Sequence, residues 1–167
     1  MKYIIICLGI LINFIFQSTL LHMFSIYGVI PNTALILVNT FALLGGKKTG
    51  GTVGLFAGLL QDVFFGGVIG INAFIYFIIG YSIGILDEKV FKENLFLPFI
   101  TVVVSTFVYH IVYYLFMTFL SIEVSFTIMA KNILVKEILY NSILSIFIYK
   151  KALKSFNRPH IKFTKKF

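Results

Sequence analysis

The chain has 167 residues, 59% of them hydrophobic and only 12% charged, with a mean hydropathy of +1.00. Soluble domains carry about a quarter charged residues, so this composition excludes an ordinary soluble domain and predicts one integral membrane domain with no soluble second one. The net charge of +8 does not point to nucleic acid, because seven of the fourteen basic residues (Lys150, Lys151, Lys154, Arg158, Lys162, Lys165, Lys166) crowd the last eighteen positions. A cytoplasmic tail attracted to anionic membrane lipid carries its charge there, and no aromatic-interleaved basic platform lies outside the apolar runs.

The first apolar run, residues 3–23, is long enough to cross a hydrocarbon core of about 30 Å. No small-residue cleavage site follows it, so it reads as a retained first span. Cys7 within it reads as a small packing hydrophobe, and Asn13 and Gln17, four apart, form one polar stripe facing other helices. Pro31 suits the first turn of span 2 (31–44), where no amide donor is needed. Spans 2 and 3 (51–65) are short for full crossings, and a re-entrant pair is the rival topology. Between them GGKKTGG reads as a glycine-rich cytoplasmic turn bearing Lys47 and Lys48; it lacks the residue order of a phosphate-binding loop.

Residues 50–86 are the most specific stretch. Gly50, Gly54, Gly58 and Asp62 stand four apart and climb one helix face. After a break at Gly66 and Gly67, Asn72, Tyr76, Gly80 and Gly84 repeat the spacing on span 4 (69–86). Small residues at this spacing let helices approach closely, so the two glycine faces are expected to meet each other or a third helix.

The mixed-charge run from Asp87 to Glu93 must lie in water. Span 5 (95–120) opens with Pro98 in its first turn and carries His110 among Tyr109, Tyr113 and Tyr114; a solvated connection with Glu123 follows. Span 6 (131–149) is the most polar, with Glu137, Asn141, Ser145 and Tyr149 on one face and Asn132, Lys136 and Tyr140 on another. Twelve basic residues (Lys2, Lys47, Lys48, Lys89, Lys92 and the seven of the tail) fall on one side, against Lys131 and Lys136 on the other. That split predicts an all-α polytopic protein: six spans over residues 1–149, a basic tail over 150–167, and both termini cytoplasmic.

Ionisable groups inside a membrane need a partner or a cavity. Asp62 lies roughly 6 Å below an outer helix end and is expected to tie span 3 to another helix. Lys136 is expected at the same depth, facing the bundle and close enough to Asp62 to interact directly or through water; in the alternative Lys136 snorkels outward while Asp62 bonds hydroxyls or amides at the Gly66 break. His110 reads as a neutral histidine hydrogen-bonded within the bundle, with no second ligand at metal spacing. No catalytic constellation is visible, so the sequence predicts neither an enzyme nor a cofactor.

Residues 31–86, with Pro31, the basic turn at Lys47, Lys48 and Gly50, then Gly54, Gly58, Asp62, Gly70, Gly80 and Gly84, closely resemble the MreD family of bacterial rod-shape-determining membrane proteins. The length, the six-span layout and the basic tail resemble it as well. The resemblance implies a non-enzymatic scaffold of the machinery building lateral peptidoglycan in the cytoplasmic membrane, working with MreC, the actin-like MreB, RodA and a class B penicillin-binding transpeptidase. It also implies a fold similar to the S components of energy-coupling-factor vitamin transporters, and such an S component is the alternative function. That alternative asks for a polar, aromatic-lined outer pocket and a long loop to close it, whereas the expected outer connections are short.

Overall fold

The computed structural model describes residues 2–19, 28–65, 68–88, 94–125 and 134–156. Among them are five α-helices and no strand: α1 (Lys2–Thr19), α2 (Thr33–Phe65), α3 (Ile71–Gly84), α4 (Phe96–Phe119) and α5 (Val135–Phe156), with a short 3-10 turn, Ile85–Glu88, closing α3. The protein is all-α, as expected. The 24 residues of α4 are apolar and long enough to cross a membrane, spanning about 36 Å at 1.5 Å per residue; Ile6–Thr19 and Ile71–Gly84 are shorter apolar helices.

α2 departs from the sequence expectation. Where a turn was expected over residues 45–50, the break is a single residue, Gly46, at φ 80° and ψ 178°. Glycine reaches that φ without the clash a β-carbon would bring, so the chain bends sharply and helical hydrogen bonding resumes at once. The Ala42 Cβ lies 2.7 Å from where a β-carbon on Gly50 would stand, although eight residues of straight helix span about 12 Å. The two arms, residues 33–45 and 47–65, therefore fold back on each other.

The start of α2 also differs by two residues. Pro31 lies outside the first turn because Asn32 takes the capping position: its side-chain Oδ1 accepts the Leu35 amide at 3.0 Å, and its carbonyl accepts the first helical bond, from Ile36, at 3.2 Å. Such a cap satisfies an amide that the helix itself leaves open.

α2 touches each of the other helices, and α3 packs along it most extensively. Leu35, Ile36, Val38 and Leu43 of the first arm, Val53 of the second, Ile75 and Tyr76 of α3, Val102 of α4 and Tyr149 of α5 are among the most deeply buried apolar side chains. Large apolar residues also cover the outside: Leu11 and Ile15 of α1, Leu115 and Phe119 of α4, Leu139 and Phe147 of α5. Meanwhile Asn39, Thr106, Asn141 and Ser145 are fully buried. Apolar outer faces around a polar interior suit a hydrocarbon surrounding, where polar groups turn toward other helices.

Two smaller expectations change. Cys7 is exposed on α1 rather than packed, on the same outer face as Leu8 and Leu11. α5 continues to Phe156, so the boundary drawn at residue 149 falls inside a helix; Tyr149 is held there by Leu43 and Leu44 with Leu153 and Phe156 alongside. Lys131, Asn132, residues 89–93 and the tail from 157 onward, with Arg158, Lys162, Lys165 and Lys166, lie outside the described residues.

Candidate functional site

The glycines of α2 and α3 face one another along an antiparallel seam. A β-carbon on Gly50 would run into the Gly80 carbonyl, one on Gly54 into the Tyr76 carbonyl, and one on Gly58 into the Ala73 backbone. Gly84 sits against Gly46 and Lys47 at the bend of α2. This is backbone against backbone, with no room for a side chain at the crossing.

At the far end of the seam Asp62, 1% exposed, closes the start of α3. Its Oδ2 accepts the amides of Gly70 at 2.9 Å and Ala73 at 3.0 Å. Its Oδ1 accepts the Asn72 amide at 3.1 Å and the Asn72 side-chain amide at 2.9 Å. The residue heading the helix, Gly70, has φ 103° and no side-chain cap of its own, so a carboxylate from the preceding helix supplies the cap. Negative charge at a helix N-terminus is favoured by the helix dipole as well. Of the two roles weighed for Asp62, these bonds belong to the amides beyond the Gly66 break.

From Asn72 the polar groups continue across the bundle. Tyr109 of α4 donates to Asn72 Oδ1 at 2.8 Å, and its ring lies 5.6 Å from that of Tyr76. Tyr76 donates to Asn32 Oδ1 at 2.8 Å, and the Asn32 amide donates to Asn141 Oδ1 of α5 at 2.9 Å. Asn141 Nδ2 reaches both Thr106 and Glu137, each at 3.2 Å. Glu137 Oε2 lies 2.8 Å from His110 Nε2, and both residues are buried. A second link between helices, Ser105 to Asn39 Oδ1 at 2.9 Å, joins α4 to the first arm of α2. The face of α5 bearing Glu137, Asn141, Ser145 and Tyr149 is thus buried inward. Local spacing marked Glu137, Asn141 and His110 separately; the contact that joins them spans 27 residues in sequence. Asn32 and Thr106 were missed. An asparagine directly before an apolar helix is a capping signal that could have identified Asn32.

Beside His110 and Glu137 lies a cavity of about 710 Å³, at the end of the bundle opposite the α2 bend. Tyr109, Tyr113 and the ends of both α2 arms line it, with Gln17 of α1 and Gln61 of α2 at one wall, hydrogen-bonded to each other at 3.1 Å. Among the described residues no group of three histidine, cysteine or carboxylate side chains could hold a metal ion. Ser105 of α4 bonds to Asn39, and Ser142 and Ser145 of α5 bond to backbone carbonyls of their own helix.

A family model described as rod shape-determining protein MreD matches residues 1–154. The chain belongs to the MreD family. It is therefore a rod-shape-determining membrane protein. No curated protein and no solved structure matches it.

Proposed function

We propose that this MreD chain is a non-catalytic partner subunit of the machinery that builds the lateral cell wall, and that it holds MreC through membrane-embedded surface. It crosses the bacterial cytoplasmic membrane six times, the two arms of α2 counting as separate spans, and carries both termini in the cytoplasm. RodA, a class B penicillin-binding transpeptidase and MreB join it in a larger complex. The match to the rod-shape family over residues 1–154 carries this reading. The distribution of charge supports its orientation: Lys47 and Lys48 at the α2 bend share one end with Lys150, Lys151 and Lys154 beyond Tyr149, the cytoplasmic end under the positive-inside rule.

Affinity capture of the tagged chain from native membranes tests the proposal. MreC should be retained in mild detergent; its consistent absence, with the chain folded, would contradict the reading. The cavity favours one second reading, an S component of an energy-coupling-factor vitamin transporter, since it carries polar side chains such as Asn32, Gln61 and Glu137 and is bordered by tyrosines. Mass spectrometry of the same preparation separates the two, because an S component retains a vitamin.

A further inference from the structure

The cavity at the end opposite the α2 bend has the chemistry of a cation site. Its volume of about 710 Å³ falls within the roughly 300–1,000 Å³ typical of small-molecule pockets and is several times what a single side chain fills. Glu123, Glu137 and His110 line it, the histidine bonded to Glu137, and no lysine or arginine does among the described residues. An anion is disfavoured there, and a wholly apolar occupant would strip water from Glu137 without replacing it.

Glu137 is the more telling carboxylate. It is 6% exposed and bonded to His110 at one oxygen and Asn141 at the other, whereas a carboxylate offers about four acceptor sites. In the same cavity wall, Tyr109 and Tyr113 stack with ring centroids 5.7 Å apart. Aromatic rings next to a buried carboxylate attract an ammonium twice over, through the ring quadrupole and through the opposite charge. Gln17 and Gln61 add amide groups able to hold the neutral part of a ligand.

We propose that this cavity binds a small organic molecule through a protonated amine, seated between the Glu137 carboxylate and the rings of Tyr109 and Tyr113. The amine belongs either to a free metabolite or to the ethanolamine headgroup of a lipid; the recognising chemistry is shared. The site stands independently of MreC binding, since it rests on the cavity alone; under the vitamin-transport reading the same cavity would hold the vitamin instead.

The test uses the full chain in nanodiscs of phosphatidylglycerol, a lipid without an amine, and phenethylamine as the probe. Phenethyl alcohol and phenylacetate serve as its neutral and anionic counterparts. Calorimetric titration at neutral pH should show saturable binding of the amine and at least about tenfold weaker binding of the other two. Glu137→Gln should weaken the amine by about tenfold or more. Because that change also touches the His110 contact, Tyr113→Leu is the second variant: it keeps an apolar side chain against the core and should weaken amine binding several-fold in protein that still unfolds cooperatively on heating. Adding phosphatidylethanolamine to the nanodiscs separates the sources, since competition with the probe assigns the lipid headgroup and undiminished affinity assigns a free amine. Equal binding of amine and alcohol, or no saturable amine binding to folded protein, would overturn the proposal. So would occupation by a basic peptide alone, with the small amine excluded.

Discussion

Between α2 and α3 the chain packs backbone on backbone, glycine facing carbonyl at Gly50, Gly54 and Gly58. Between α2, α4 and α5 it packs through side chains, with Asn32, Asn141, Glu137 and His110 each holding a neighbour by hydrogen bonds. Along its glycines the first contact has no polar side chain to lose and no space to gain, Asp62 closing it at one end; the second is held by polar side chains and can lose any one of them. Added volume should therefore damage the seam, and removed polarity should damage the cluster. In a hydrocarbon surrounding neither contact draws on expulsion of water, which leaves close packing and hydrogen bonding as the two ways to join helices.

The largest effect is expected at the seam. Gly58→Leu forces a side chain into the Ala73 backbone, and we expect a loss of about 3 kcal/mol or more, at or beyond the upper end of ordinary overpacking. Leu60→Ala instead truncates a partly buried side chain and should cost less, because neighbours and lipid can close over it. The fraction of monodisperse, folded protein recovered in detergent distinguishes them; equal losses would remove the distinction between seam and remainder.

Asp62→Ala joins the two regions and comes next. It leaves the Gly70, Asn72 and Ala73 amides without their acceptor, which we expect to cost about 2–3 kcal/mol, given that a charged acceptor is lost at a buried helix start. Asp62→Asn keeps one oxygen and should lose roughly half as much. Hydrogen exchange at the first turn of α3 measures this directly, and unchanged protection there would show that the carboxylate is not the cap.

In the cluster, Glu137→Leu alone should cost about 2–3 kcal/mol by leaving His110 and Asn141 unmatched. With His110→Leu added, part of that loss should return, because two apolar side chains replace a polar pair at little net cost. A double-mutant cycle on thermal unfolding in detergent reads the coupling; strictly additive losses would mean the 2.8 Å contact contributes nothing to stability. The smallest effect is expected from Tyr76→Phe, which deletes one hydroxyl bonded to Asn32, at about 1 kcal/mol.

The two regions also differ in how far the sequence revealed them. A glycine face repeats every four residues within one helix, so Gly50, Gly54 and Gly58 could be identified from spacing alone. The seam's partner was narrowed only to another glycine face or a third helix, since spacing gives direction but not neighbours. Asp62 was recognised as buried and in need of partners, but those partners lie eight to eleven residues onward. They reach it only because the chain turns at Gly70, a backbone conformation that composition does not encode. The cluster was legible as separate marks on spans 5 and 6, and its wiring was not, because which polar faces meet depends on the packing of α4 against α5. GGKKTGG looked like a loop because it holds four glycines; one of them suffices for the reversal, and the others sit in helix.

Site-specific photocrosslinking in native membranes tests the central claim, that this rod-shape protein acts by binding partners rather than by chemistry of its own. A photoreactive residue is placed at Leu115 or Phe147, both exposed, and at Ile75, which is 1% exposed, as an internal control. We expect adducts with MreC, or with another elongation protein, from an exposed position and none from Ile75. Adducts confined to other copies of the same chain, at every exposed position tried, would contradict the claim.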